Sequence, residues 1–168
     1  MTTDTPLKPV ICDLRFVYSH PAHWIAFAGG VGLIRWAPGT FGTLLAWPLF
    51  PLLSPLLPLS LQLGAVGLLM VLGCWACGLS ARHLGIQDPG GIVWDETVAF
   101  LLILIFLPQT LIWQGAGFVV FRILDIFKPW PIFLADRHIK NGFGVMFDDL
   151  LAAALTLLIL LPISSLFS

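Results

Sequence analysis

Charge is what this chain has least of. Its 168 residues hold 8 Lys or Arg and 9 Asp or Glu, 10% in all, where soluble domains carry about 25%. A net formal charge of −1 gives no basic surplus for nucleic-acid binding. With 58% hydrophobic residues, disorder is excluded too. Three cysteines are too few for a secreted disulfide scaffold. Cys74 and Cys77 form a Cys-x-x-Cys pair, but inside an apolar run rather than the βαβ setting that redox chemistry requires. Residues 1–22 carry Asp4, Lys8, Asp13 and Arg15 and do not read as a signal peptide.

What is present is apolar, with a mean hydropathy of +0.97. Residues 36–81, 97–121 and 150–168 contain no Lys, Arg, Asp or Glu. A bilayer crossing takes about 20 mostly apolar residues. Backbone groups in lipid must be satisfied internally, so these runs are expected to be helices. Breaks at Pro55–Pro58 and Pro108–Thr110 divide them into helices over 43–58, 62–81, 97–107, 111–127 and 147–167. The run at 97–107 is short for a full crossing. Residues 10–18 suit the membrane surface, and 24–33 are apolar but too short to span. Trp24, Trp36, Trp47, Trp94, Trp113 and Trp130 fall near predicted boundaries, where interfacial anchors belong. The expected architecture is all-α: a polytopic bundle of four to five hydrophobic helices with a short N-terminal interfacial helix, one domain over 1–168.

The turns near 59–61 and 108–110 are uncharged, while Lys8, Arg15, Arg35, Arg82, Arg122, Lys128, Arg137 and Lys140 all fall on the other side. The positive-inside rule places that side in the cytoplasm. By the same alternation, Asp88, Asp95, Glu96, Asp125, Asp136, Asp148 and Asp149 gather at that face. Acids in a first helical turn are favoured by the helix dipole. Asp95-Glu96 and Asp148-Asp149 are therefore open to a reading as ordinary helix starts. Asp125 is not, because it precedes Pro129 near a helix C-terminus. There Arg122 shares its face by the three-residue offset. Below the second acidic pair, Ala152, Ala153, Ala154 and Thr156 allow close helix approach.

Several carboxylates without histidine partners suit a hard, oxygen-preferring cation, Mg²⁺ above all, which commonly shares its coordination with substrate phosphates. Arg and Lys nearby complement a phosphate. The turn Gly39-Thr40-Phe41-Gly42-Thr43 opens a helix on the same face, either as an anion-attracting N-terminus or as a plain turn. His20, His83 and His138 make no zinc pattern by spacing. Together these parts describe metal-assisted phosphoryl chemistry on a lipid with a phosphorylated head group.

Four motifs carry a resemblance. Pro38-Gly39-Thr40-Phe41-Gly42-Thr43, Ile92-Val93-Trp94-Asp95-Glu96, the run from Phe121 to Pro131 containing Arg122, Asp125 and Lys128, and Gly144-Val145-Met146-Phe147-Asp148-Asp149 resemble the phosphatidylglycerophosphatase A family. The likeness extends from about His20 to Ala154 and is specific as an ordered set. It implies a bacterial inner-membrane, helical, Mg²⁺-dependent enzyme that removes the terminal phosphate of phosphatidylglycerophosphate, leaving phosphatidylglycerol. By position it implies Asp95, Glu96, Asp125, Asp148 and Asp149 as metal or catalytic carboxylates, and Arg122 and Lys128 as phosphate contacts. Gly39, Thr40, Gly42 and Thr43, with Asp136 and Arg137, fall in the substrate-binding set. His23 matches a family histidine, with helix packing the equal alternative. Thr43, Ala99 and Ala153 depart from the residues that the family often has. The rival from residue chemistry is a small multi-pass cation transporter, which predicts acids spread through membrane depth. A nucleotide-dependent phosphatidyltransferase is disfavoured because its Asp-x-x-Asp-Gly-x-x-Ala-Arg run is absent.

Overall fold

The computed structural model describes residues 12–53, 57–86, 89–134 and 141–167. All regular structure among them is helical. Helix α1 (Leu14–Ser19) starts at Asp13, whose carboxylate accepts the Phe16 N–H at 2.9 Å. His20 ends α1 and caps α2 (Pro21–Ala26), its Nδ1 accepting the Ala22 N–H at 3.1 Å. A tight turn over Ala28–Leu33 uses Gly29 and Gly30 at φ 68° and 112°. Then come α3 (Pro38–Leu49), α4 (Leu59–Leu84), α5 (Trp94–Phe106), α6 (Leu111–Phe127) and α7 (Gly142–Ser165).

Helix lengths differ from expectation, and proline explains the first difference. The helix expected over 43–58 begins instead at Pro38, where a missing N–H is harmless. It ends at Leu49 and tightens into a 3₁₀ turn over Phe50–Leu53, because Pro51 cannot donate back to Trp47. At 1.5 Å per residue, α3, α5 and α6 span about 18–26 Å, short of a hydrocarbon core of about 30 Å. Two helices, Leu59–Leu84 and Gly142–Ser165, are long and apolar enough to cross a membrane. Both leave wide apolar faces uncovered: Leu68 is 61% exposed, Val71 67% and Leu158 69%. A soluble protein would bury such faces; a lipid surround leaves them stable.

Helix α5 lies at the centre, packed on α3, α4, α6 and α7, while α7 also packs on α4 and α6. Its residues Val98, Phe100, Leu101, Ile103 and Leu104 are buried. Lipid tails are as apolar as leucine, so close packing rather than water exclusion joins helices in a bilayer. The α4–α7 crossing follows that rule. A Cβ on Gly142 would strike the Cys74 carbonyl and the Gly78 backbone. Ala152, Ala153 and Thr156 are fully buried on α7, whereas Ala154 points outward. Phe100 gathers Trp47, Phe118 and Phe121 around its ring, at centroid distances of 5.2, 5.9 and 6.0 Å respectively. At the α5–α6 turn, Gln109 Nε2 donates to the Leu104 carbonyl at 2.8 Å, and Gln114 Oε1 accepts from Trp47 Nε1 at 2.8 Å. Two of the expected interfacial tryptophans are thereby packing residues, since Trp94 Nε1 also bonds the Leu69 carbonyl at 3.1 Å. Trp36 and Trp130 remain exposed.

Candidate active site

The N-terminal ends of α5 and α7 meet the C-terminal end of α6, and the acids meet with them. Asp95 and Glu96 occupy the first turn of α5. Asp95 Oδ1 accepts the Glu96 N–H at 3.1 Å. Asp148 and Asp149 do not start a helix. Asn141 caps α7, its side chain accepting the Gly144 N–H at 3.0 Å, so the two acids sit in the second turn, beyond the reach of a dipole effect confined to the first. Local helix electrostatics therefore leaves their burial unexplained.

Asp95, Glu96 and Asp149 each direct one carboxylate oxygen to a common point, all three oxygens lying within 4.8 Å of one another. Asp95 and Asp149 are buried. Asp149 lies within electrostatic reach of Asp125, Glu96 and Asp148. Glu96 Oε2 and Asp149 Oδ2 are buried with no hydrogen-bond partner among the described residues. Buried carboxylate oxygens are strongly disfavoured without a donor or a cation. All donors in the triad are hard oxygens, which fits Mg²⁺ better than a softer ion.

Two cations border the acids. Arg122 Nη1 donates to Asp125 Oδ2 at 2.6 Å and lies 3.6 Å from Glu96 Oε1. Lys128 pairs directly with Asp148. Its backbone is left-handed, φ 42°, and it caps α6 where Pro129 has no N–H to continue the ladder. Among the described residues, five carboxylates thus face two cations, Arg122 and Lys128.

The glycine-rich turn divides into two parts. Gly39 abuts the site: a Cβ there would overlap Glu96 Oε1 and sit 3.1 Å from both terminal nitrogens of Arg122. Thr40 lies beside it, its N–H bonded to the Ala37 carbonyl at 2.9 Å. Gly42 serves the α3–α5 contact, where a Cβ would strike Val93. The Thr43 hydroxyl is buried and donates to the Gly39 carbonyl at 2.8 Å. Spacing alone did not single out Thr97. Its hydroxyl lies 2.8 Å from the Gly42 carbonyl and 2.9 Å from that of Val93, tying α3 to α5 just below the acids. The available signal was a small polar residue, one turn past Val93, at the head of an uncharged run. His23 is not among the acids; it packs between α1 and α4. Asp88, Asp136 and Arg137 lie outside the described residues.

Residues 24–164 match the family model of phosphatidylglycerophosphatase A. The chain belongs to that family. It is 39% identical over 165 residues to a phosphatidylglycerophosphatase A of Haemophilus influenzae, covering 97% of each chain. It is 39% identical over 155 residues to that of Escherichia coli K12, covering 92% of this chain and 90% of the other. A Bacteroides thetaiotaomicron protein, provisionally named a phosphatidylinositol-3-phosphatase, is 36% identical over 138 residues, covering 78% of this chain and 86% of its own. No solved structure matches. Family membership makes the chain an enzyme, a phosphatase of phosphoric monoesters.

Proposed function

We propose that this enzyme hydrolyses phosphatidylglycerophosphate to phosphatidylglycerol and inorganic phosphate, with Mg²⁺, as a step of phospholipid synthesis. Its place is the cytoplasmic face of the bacterial inner membrane. The observation that carries the reading is the meeting of three carboxylate oxygens from α5 and α7 within 4.8 Å, bordered by Arg122 and Lys128. Arg82 in the last turn of α4, with Arg122 and Lys128 beside the acids, supports a cytoplasmic orientation. In this reading α3, α5 and α6 are also embedded, packed against the two long helices.

Asp95, Glu96 and Asp149 would hold the ion, with Asp125 and Asp148 around it. Bound there, Mg²⁺ supplies charge neutralisation for the phosphate and a polarised water. The chain's own residues do the rest. Arg122, held by Asp125 and Glu96, presents its guanidinium to phosphoryl oxygens whose charge is spread in the transition state. Lys128, paired with Asp148, provides a second positive contact. The water oxygen bonds to phosphorus as the P–O bond to glycerol breaks. A carboxylate of the cluster takes the water's proton, and the departing glycerol oxygen takes one up. Direct attack by an aspartate, forming an aspartyl-phosphate that water then hydrolyses, is the alternative course. The acids gather at one end of the bundle, which favours this reading over a cation path through the membrane.

The test is phosphate release by detergent-purified protein. Phosphatidylglycerophosphate, phosphatidic acid and phosphatidylinositol-3-phosphate are offered separately, with Mg²⁺ or with EDTA. Mg²⁺-dependent release, fastest from phosphatidylglycerophosphate, is expected. Faster release from the inositol lipid would transfer the assignment to the activity named for the Bacteroides relative. No release from any of them would refute the reading.

A further inference from the structure

A cluster of three histidines lies apart from the carboxylates. His20 and His23, at the start of α2, meet His83 in the last turn of α4. The ring centroids are 5.0 Å apart for His23–His83, 5.4 Å for His20–His23 and 6.2 Å for His20–His83. With Zn–N bonds of about 2.0–2.1 Å at tetrahedral angles, imidazole centres on one ion lie about 5 Å apart. The His23–His83 and His20–His23 pairs are close to that spacing, while His20 stands about 1 Å too far from His83 and must swing inward to ligate.

His23 is the fixed member, 2% exposed and stacked on Phe16 at 4.1 Å. Both of its ring nitrogens are engaged. Nδ1 lies 2.8 Å from the buried Ser80 hydroxyl, and Nε2 lies 3.0 Å from His83 Nδ1. The second contact joins two basic nitrogens, so it holds only while one proton sits between them. A metal ion satisfies the same pair by taking that proton's place. With Nδ1–H donated to Ser80 Oγ, Nε2 is the ligating nitrogen. A ligating histidine whose other N–H is fixed by an acceptor is the usual arrangement at metal sites. Burial, with His83 and His20 nearby, keeps the His23 pKa below its ordinary value, favouring the neutral form that ligation requires.

We propose that His23 Nε2 and His83 Nδ1 bind a late first-row transition ion, Zn²⁺ in the first instance. His20 is its third ligand, at a site distinct from the oxygen-only carboxylate cluster. His20 Nδ1 now accepts the Ala22 N–H, so its ring releases that cap when it ligates. Imidazole ligands suit Zn²⁺, as carboxylate oxygens suit Mg²⁺. The ion would tie α2 to α4.

The test is Zn²⁺ titration of tag-free, detergent-purified protein in excess Mg²⁺, with bound Zn²⁺ counted after removal of free ion. The wild type is expected to retain one equivalent. His83→Ala, a change at an exposed position, should lose it, and His20→Ala should weaken it at least about tenfold. Asp149→Asn should retain it. Zn²⁺ should raise the melting temperature of the wild type and not of His83→Ala. No retained Zn²⁺ in the wild type, undiminished binding in His83→Ala, or loss of binding in Asp149→Asn would each overturn the proposal.

Discussion

Gly39→Ala isolates the contact between the glycine-rich turn and the acids. The added methyl would overlap Glu96 Oε1 and stand 3.1 Å from Arg122 Nη1 and Nη2. The backbone itself does not object, since Gly39 has helical conformation in the first turn of α3 and alanine is the better helix former by about 1 kcal/mol. The strain therefore falls on the carboxylate, which must retreat by roughly 1 Å. A displacement of that size in catalytic geometry costs about 10²-fold in rate. Overpacking costs about 1–3 kcal/mol of stability, partly offset by the helix propensity. The expected variant inserts and purifies, melts a few degrees lower at most, and turns over about a hundredfold more slowly. Gly67→Ala is the control, because nothing lies within 4 Å of its added carbon. Phosphate release and thermal unfolding in the same detergent give both readouts. Wild-type turnover in Gly39→Ala would show that Glu96 and Arg122 need no fixed geometry, and the site as described would fall.

Asp125→Asn removes the charge that holds Arg122 at 2.6 Å; turnover should vanish while membrane insertion, followed by fractionation, is unchanged. Thr97→Val keeps the shape but removes the hydroxyl near the Gly42 carbonyl, and a lower melting temperature, by about 1–3 kcal/mol of stability, is expected. Burial, His83 and His20 hold the folded His23 pKa below its unfolded value. The unfolded chain then binds the extra proton more readily, so this contribution is present above the unfolded pKa of about 6.5 and is lost as pH falls toward the folded value. Melting temperatures measured without transition metals should drop on acidification below that pH, and less steeply in His83→Ala.

The sequence brought together most residues of the candidate site and showed less of the architecture. Uncharged runs and their alternation brought Asp95, Glu96, Arg122, Asp125 and Asp149 to one end, because the sparse charges of an apolar chain can collect only where helices leave the lipid. Helix ends were harder to read. Hydropathy does not register that Pro51 stops α3, nor that Asn141 caps α7 so that it starts at Gly142, five residues before the expected position at 147. That shift matters, since it moves Asp148 and Asp149 out of the favourable first turn, so the helix dipole does not account for their burial. Gly42 packs against Val93 and Thr97 at the α3–α5 contact, and Thr43 bonds back to Gly39 within α3, placements visible only once the helices are assembled. The histidine cluster was illegible for a related reason. His20 and His83 are 63 positions apart, and no spacing rule joins them.

The central claim is that Asp95, Glu96 and Asp149 share one divalent ion. The most direct measurement is turnover against Mg²⁺ concentration for the wild type and Asp149→Asn, at saturating phosphatidylglycerophosphate. The account predicts no turnover in EDTA, saturable activation of the wild type, and an Asp149→Asn curve displaced to at least about tenfold higher Mg²⁺ or lost altogether. Turnover that persists in EDTA, or an Asp149→Asn curve that overlays the wild type, would contradict it.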